Sequence, residues 1–576
     1  LTSISSGAER RRRILTRALP LVVLAVIAFV AGISVGGGSP ELDAAKRFLS
    51  AWEEDDYEAM HAELTPATAA DYPIESFTNL YEKAKATATA TAIDSGEAEG
   101  PSSSGDDEVV KAPATARTNA FGEVRGTVAI PVADAGVAWQ PNLVFPGLEP
   151  GEELDRKTRA PERAAILAAD GTPLAKGPSA ARTSPLGSSA LDIAGEMGTP
   201  KRAERETTDA SGFPAGTLVG TSGLELAFDE RLAGKPGGQL LAVGEGERVL
   251  ADTDPQPGQP VKTTIEPGLQ ETTVNALGGQ LGGVAVLDAT NGQVKALAGI
   301  AFSSPQPPGS VFKIITTTAA LESGAVSLDD QFDVATEAVV DGRAIANAGD
   351  EPCGGSFTQS FADSCNSVFA PLGAEVGGEK LLSTAEDFGF NSPPELYDEQ
   401  ATAAVDPPPS SIPDPIGSDL DVAVTAIGQG QVLATPLQMA NVSQTIANEG
   451  KRSPTPLVTE PELAPDAGTT DVTDAETANK VRDLMIANVE TGTGVAADIP
   501  EAQVAGKTGT AELGPDPDAP APAPGESPAL QENAWFTAFA PADNPKLAIA
   551  VMLVDASGSG GEVAAPIAAA ILSSAL

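Results

Sequence analysis

Ser310 stands three residues before Lys313 in the segment PPGSVFKIITTTAALESG (residues 307–324), the one place in 576 residues where a Ser precedes a Lys at that spacing. Residues i and i+3 share a helix face, so the apolar run after Lys313 would hold both side chains at its mouth. A Ser in the first helical turn, just after Pro308 and Gly309, presents its hydroxyl beside backbone N–H groups that favour a developing anion. A Lys held among apolar groups has its pKa lowered and can accept the hydroxyl proton. The chemistry open to such a pair is nucleophilic attack by a serine whose base is a lysine rather than a histidine.

Elimination points the same way. The chain has one His, His61 in AMHAEL, far in sequence from any nucleophile, so a Ser-His-Asp hydrolase lacks its base. One His and two Cys make a closed zinc site a poor reading. The glycine-rich phosphate fingerprint is absent as well, and neither a metal nor a cofactor is expected. A formal charge of −45, from 35 Lys plus Arg against 80 Asp plus Glu, argues against nucleic acid.

An isolated Ser-x-x-Lys is a weak signal, but two further patterns stand with it. SCN at residues 364–366 is the only Ser-x-Asn in the chain, and KTG at residues 507–509 is the only Lys-Thr-Gly. Together the three resemble the active-site set of the penicillin-recognising serine acyltransferases. The flanking segments GGVAVLDATNGQVKALAG, AIGQGQVLATPLQMA, GKTGTAE, AWFTAFAP and AAPIAAAIL are similar to the transpeptidase domain of that group. GTSGLELAFDERLAGKPG resembles the pedestal domain of class B, monofunctional penicillin-binding proteins. The region from Glu41 resembles the NTF2-like domain of the low-affinity staphylococcal type.

The resemblance implies an α+β multidomain chain ending in a serine β-lactamase-like domain, an antiparallel sheet flanked by helices. It implies a D,D-transpeptidase that cross-links peptidoglycan stem peptides and is acylated by β-lactams. Ser310 would attack the carbonyl between two D-alanines, Lys313 would take its proton, and Ser364 would relay a proton to the leaving D-alanine. Asn366 would orient Lys313 and the substrate amide. Lys507, Thr508, Gly509 and Thr510 would line the substrate strand, the first two binding the terminal carboxylate. The N–H groups of Ser310 and Thr510 would form the oxyanion hole. A membrane glycosyltransferase partner is implied, because the remaining segments read as spacer. Two other readings stay open: a D,D-carboxypeptidase or β-lactamase-type hydrolase, in which water replaces the acceptor amine, and a non-catalytic β-lactam sensor or divisome scaffold.

The elements that must position these residues fall into five segments. Arg10, Arg11, Arg12, Arg13 and Arg17 mark a basic cytoplasmic tail over residues 1–17. The run ALPLVVLAVIAFVAGISV then opens an anchor over 18–38, whose 18 uncharged residues rise about 27 Å as a helix, close to the ~30 Å hydrocarbon core and longer than the apolar core of a cleaved signal peptide. By the positive-inside rule all that follows is extracytoplasmic. Residues 40–148 read as a small α+β domain opened by two amphipathic helices. Residues 149–262 read as a turn-rich pedestal or dimerisation domain with a hairpin about Asp170 and Gly171. Residues 263–576 are of catalytic-domain size, with a hairpin at Thr290, Asn291 and Gly292 and a Pro/Ala-rich loop over 514–532. Gly428-Gln429-Gly430 reads as a turn or a site element, Glu512 as a solvated charge, and Trp535 and Phe536 as core. Cys353 and Cys365, outside the membrane, can form a disulfide or stay as buried thiols.

Overall fold

The computed structural model describes residues 39–104, 107–398, 402, 407–515 and 530–576. The arginine cluster, the apolar run expected as a membrane anchor and the centre of the Pro/Ala-rich loop lie outside the described residues. Among the described residues no helix is long and apolar enough to cross a membrane.

The chain forms two compact units. The first comprises residues up to Ala160 with Ala203–Ala215 and Lys235–Pro255; the second comprises Pro161–Arg202, Gly216–Gly234 and Gln256–Leu576. The segment 149–262 therefore contributes to both.

In the first unit, helix α1 (Pro40–Glu53) starts where Ser39 caps the Leu42 N–H and Pro40 supplies a fixed φ. Its spacing buries Ala45, Phe48, Leu49 and Trp52 on one face. Three more helices follow: α2 (Tyr57–Ala62), α3 (Pro66–Asp71) and α4 (Ile74–Ala88). They pack on an antiparallel sheet of β1 (Ala90–Ser95), β2 (Glu99–Ser104), β3 (Asp107–Thr118), β4 (Gly122–Ala133) and β5 (Gly136–Val137). Both β1 and β2 pair with one edge of β3, so the weak alternation and polar content of residues 90–104 suit edge strands. The core gathers Trp52, Phe77, Tyr81 and Trp139. Here the Trp139 indole N–H donates to the Tyr81 hydroxyl at 2.8 Å, and that hydroxyl donates to the Leu143 carbonyl at 3.3 Å. His61 sits in this unit, 2.8 Å from the Tyr72 carbonyl. The antiparallel strands Glu153–Arg159, Gly237–Val243 and Glu247–Thr253 complete the unit.

The second unit begins with the expected hairpin, Ile166–Leu167 against Pro173–Ala175. Beside it the SGLE segment buries Glu225, 1% exposed, between Arg163 and Arg182 at 2.6 Å each. A buried carboxylate is tolerated when its lone pairs are filled by such guanidinium donors.

Helix α5 (Pro267–Leu277) leads into β6 (Gly282–Asp288) and β7 (Val294–Gly299). After α6 (Lys313–Ser323), α7 (Phe357–Ala362), α8 (Asn366–Val376), α9 (Pro436–Ala447) and α10 (Ala475–Glu490), the chain returns as β8 (Ala505–Pro515), β9 (Leu530–Ala540) and β10 (Leu547–Leu553), then α11 (Ala565–Ala575). The strands pair antiparallel in the order β7-β6-β10-β9-β8. Alternate residues then face opposite ways. Val284, Val286, Phe536, Ile549 and Val551 pack with Leu269, Ala568, Ile571 and Leu572. Ala285, Leu287, Trp535, Phe539 and Ala550 pack with Phe312, Ile314, Leu437 and Met439. A sheet that is apolar on both faces and covered by helices on both is a rigid mount, and β8 at its edge carries KTG. The strands run to Pro515 and resume at Leu530, so the loop expected over 514–532 is paired at both ends.

Candidate active site

Ser310 lies in a 3-10 turn, Gly309–Phe312, that precedes α6, rather than in the first α-helical turn. The change leaves Ser310 and Lys313 on one face, because i and i+3 eclipse in a 3-10 turn. Two glycines fix that turn. The Gly309 N–H donates to the Gly428 carbonyl at 2.9 Å, and φ is +55° at Gly309 and +74° at Gly428. A Cβ on Gly309 would stand 2.4 Å from the Thr510 carbonyl oxygen, so the turn carrying Ser310 lies directly against the KTG strand. Gly509 is equally confined, since its Cβ would come within 2.8 Å of the Pro308 carbonyl oxygen. The Trp535 indole, buried as expected, donates to the Pro307 carbonyl at 2.9 Å and ties the approach to Ser310 onto β9.

Lys313 is fully buried. Its Nζ donates to the Ser364 carbonyl at 2.7 Å and to Asn366 Oδ1 at 2.7 Å, and it lies 3.3 Å from Ser364 Oγ. The Phe369 ring centroid is 5.3 Å away. Burial, reinforced by the charge of Lys507, pushes its pKa well below the ordinary lysine value. A neutral amine has two N–H bonds and a lone pair. With the hydrogens directed at the Ser364 carbonyl and Asn366 Oδ1, the lone pair is left for a hydroxyl.

The second motif is held in an uncommon backbone shape. Ser364 has φ +64°, between the end of α7 and the start of α8, where Cys365 is the N-cap residue. The Ser364 N–H donates to Phe361 and the Cys365 N–H to Ser360, which fixes the turn. Cys365 is joined to Cys353 by a disulfide, with Cα atoms 5.7 Å apart. Asn366 donates to the Ala346 carbonyl at 2.9 Å, so its Oδ1 is left to face Lys313. Asn347, 6% exposed, braces the same place by accepting the Ser367 N–H at 2.8 Å and donating to Ala335 and Glu351.

Lys507 is also fully buried, 5.6 Å from the centre of the Phe361 ring, and donates to the Thr508 carbonyl at 3.0 Å. Burial pushes its pKa down to about 7, and the Asp363 carboxylate partly offsets the fall. Thr508 Oγ1 meets Thr493 Oγ1, which in turn accepts from Asn488 Nδ2 at 2.9 Å. Thr510 is half-buried on the same strand. Glu512, on the exposed continuation, faces Glu532 across the ladder.

Ser310, Lys313, Ser364, Asn366 and residues 507–510 thus converge from one turn, one interhelical junction and one sheet edge. Motif spacing leaves out Asn347, Asn488, Thr493, Gly428's contact with Gly309 and the bond from Trp535 to Pro307. The one visible trace of that inner layer is the TGTG stretch at 491–494, between α10 and β8. Among the described residues, no group of His, Cys, Asp and Glu side chains could hold a metal ion.

Comparison with known proteins gives this arrangement a setting. Residues 282–573 match the penicillin binding protein transpeptidase domain, and residues 172–263 match the penicillin-binding protein dimerisation domain. The chain is 32% identical over 416 residues to the peptidoglycan D,D-transpeptidase PbpA of Mycolicibacterium smegmatis, covering 62% of this chain and 80% of that one. To PbpA of Mycobacterium tuberculosis it is 36% identical over 293 residues, covering 48% of this chain and 56% of that one. The crystal structure of PBPA from M. tuberculosis superposes with a TM-score of 0.56 at 27% identity, covering 72% of this chain and 99% of that chain. A ceftriaxone acyl-enzyme complex of the same protein gives 0.56 at 27%, covering 72% of this chain and 98% of that chain. A catalytic-sized domain match across the helix-covered sheet and all three motifs leads to one conclusion: the chain belongs to the penicillin-binding protein transpeptidase family.

Proposed function

We propose that the protein is a peptidoglycan D,D-transpeptidase that forms an acyl-enzyme on Ser310 and is acylated by β-lactams at the same residue. The observation that carries this reading is the environment of Lys313: fully buried, pKa lowered, and bonded to both polar members of the Ser-x-Asn motif. Ser310 Oγ adds to the carbonyl carbon of the penultimate D-alanine while its proton passes to the Lys313 lone pair. The oxyanion is met by the N–H groups of Ser310 and Thr510, each such donor supplying roughly 3 kcal/mol. Proton return through Ser364 to the leaving nitrogen lets the C–N bond break and D-alanine depart. The amine of a neighbouring stem peptide then adds to the ester, loses a proton, and releases Ser310 with its hydrogen restored.

Lys507 and Thr508 receive the terminal carboxylate. A protonated Lys507 also disfavours charge on Lys313, so the cation that binds substrate helps keep the base neutral. Asn366 holds Lys313 and meets the substrate amide.

The same reading takes residues 18–38 as a single membrane anchor with the catalytic domain outside the cell. Its support is the uncharged run behind four consecutive arginines. It takes residues 40–148 as NTF2-like, supported by four helices packed against an antiparallel sheet around an aromatic core. It also takes a membrane glycosyltransferase as partner, since cross-linking requires glycan strands made by another activity. The deciding experiment is incubation with a fluorescent penicillin followed by peptide mapping. Label on Ser310 is expected, and label on any other residue would overturn the mechanism.

A further inference from the structure

Thr508 can bind a carboxylate only if its hydroxyl hydrogen points into the cleft, and the groups behind it decide where that hydrogen goes. The Asn488 side chain, fully buried, donates from Nδ2 to the Ala362 carbonyl at 2.7 Å and to Thr493 Oγ1 at 2.9 Å. The orientation of this amide is forced, because the Ala362 carbonyl can only accept and the opposite orientation would set two oxygens together. Asn488 Oδ1 has no hydrogen-bond partner among the described residues and lies where a Cβ on Gly494 would be 2.5 Å away. The amide is held there for its donor end.

Thr493 Oγ1 therefore already accepts one hydrogen bond and has one hydrogen to place. Two acceptors compete for it: the Ala362 carbonyl at 3.4 Å and Thr508 Oγ1 at 2.5 Å. Hydroxyl donors bond at about 2.5–3.0 Å, and the Ala362 carbonyl already receives Asn488 Nδ2 and the Thr493 N–H at 3.1 Å. The hydrogen of Thr493 goes to Thr508, and that of Thr508 is left for the cleft.

We propose that Asn488 and Thr493 form a one-directional hydrogen-bond relay that fixes Thr508 as a donor and so makes the site selective for an anionic, carboxylate-bearing acyl donor. Both are positioning residues, and the inference rests on the function proposed above. No proton is transferred along the relay; each oxygen accepts one hydrogen bond and donates the next.

The test compares benzylpenicillin with its methyl ester, which differs in the carboxylate, on the purified full chain. Parent protein is expected to be acylated at Ser310 by both, and faster by the free acid. Thr493→Val should lower the second-order acylation rate for the acid at least ten-fold, through weaker initial binding with the first-order acylation step retained. Rates with the ester should stay within two-fold, and Thr493→Ser should restore discrimination. In a Thr508→Val background, Thr493→Val should add nothing further. An equal loss with both probes, or none with either, overturns the relay while leaving Ser310 acylation intact. Failure of the parent to be acylated at Ser310 overturns the proposed function and the relay with it. If Thr493→Val does not fold, Thr493→Ala replaces it and is read by the same ratio of acid to ester rates.

Discussion

Gly309 and Gly428 meet backbone to backbone. The Gly309 N–H donates to the Gly428 carbonyl at 2.9 Å, and a Cβ on Gly428 would lie 2.0 Å from the Gly309 carbonyl oxygen. No side chain fits that gap without moving the turn that carries Ser310. Gly428→Ala is expected to lower penicillin acylation by roughly 100-fold, the scale on which ~1 Å misplacements act, with helical content by circular dichroism unchanged. Acylation at the parental rate would mean that the loop is only a turn.

In the proposed mechanism Lys313 and Lys507 have opposite pH requirements. Lys313 must be neutral to take the Ser310 proton, and that ability is lost as pH falls through its lowered pKa. Lys507, at about 7, must be protonated to attract a carboxylate, an ability lost as pH rises through that value. Acylation by a carboxylate-bearing penicillin should fall on the alkaline side with an apparent pKa near 7, moved upward as bound carboxylate stabilises the cation. With the methyl ester that alkaline limb should vanish. Rate profiles for both probes across pH 5 to 10 check this.

The burial of Lys507 also opposes folding. Its folded pKa of about 7 lies below the ordinary 10.5, so between these values the unfolded chain binds the extra proton and stability rises with pH. The penalty is fully present below pH 7 and gone above 10.5. Lys507→Met should therefore raise Tm at pH 7 and show a shrinking advantage toward pH 10, while acylation is lost. A Tm gain that does not depend on pH would assign the effect to packing alone.

The Cys353–Cys365 disulfide closes a loop of 12 residues of sequence separation beside Ser364 and Asn366. Chain entropy limits its contribution to at most ~3 kcal/mol, whereas Lys313 depends on Ser364 and Asn366 for its hydrogen bonds. Reduction, or the Cys353→Ser and Cys365→Ser pair, should slow acylation ten-fold or more for a modest fall in Tm. The reverse order of effects would make the bond merely structural. Mass spectrometry of unreduced protein should show the two cysteine peptides linked.

Trp535→Phe keeps the buried ring but removes the hydrogen bond to Pro307. A net loss of about 1 kcal/mol of stability for that bond should lower the urea midpoint modestly, and the loosened approach to Ser310 should slow acylation. An unaltered rate would show that Gly309 and Gly428 position the turn unaided.

What the sequence could disclose follows from how local each feature is. Ser310 and Lys313 are close because they are three residues apart, and that proximity survives the replacement of an α turn by a 3-10 turn. The SCN and KTG stretches are single occurrences in the chain, which made them visible without any knowledge of their contacts. Asn488 was hidden because Asn is common, and Thr493 left only the trace of the TGTG stretch; their bonds to Ala362 span 126 and 131 residues. The positive φ of Ser364 was hidden too, since Ser gives no sign of a left-handed backbone. Turn-rich residues 149–262 disclosed a hairpin at Asp170 but not that Gly237–Val243 would pair with Glu153–Arg159. Pairing at that separation depends on which faces remain uncovered, and no short window of sequence records this.

The interleaving of the two units bears on how the chain is made. The backbone passes from one unit to the other at five places, after Ala160, Arg202, Ala215, Gly234 and Pro255. The N-terminal unit cannot close until Pro255 has left the ribosome, although its helices and five-stranded sheet emerge far earlier. During that interval the strand Glu153–Arg159 waits for a partner not yet synthesised. No single cut separates the units cleanly, so removing the first 160 residues would strip strand Gly237–Val243 of its partner Glu153–Arg159 and leave it, with Glu247–Thr253, as an isolated hairpin. A shortened catalytic fragment should therefore aggregate unless those strands are excised and their flanks rejoined.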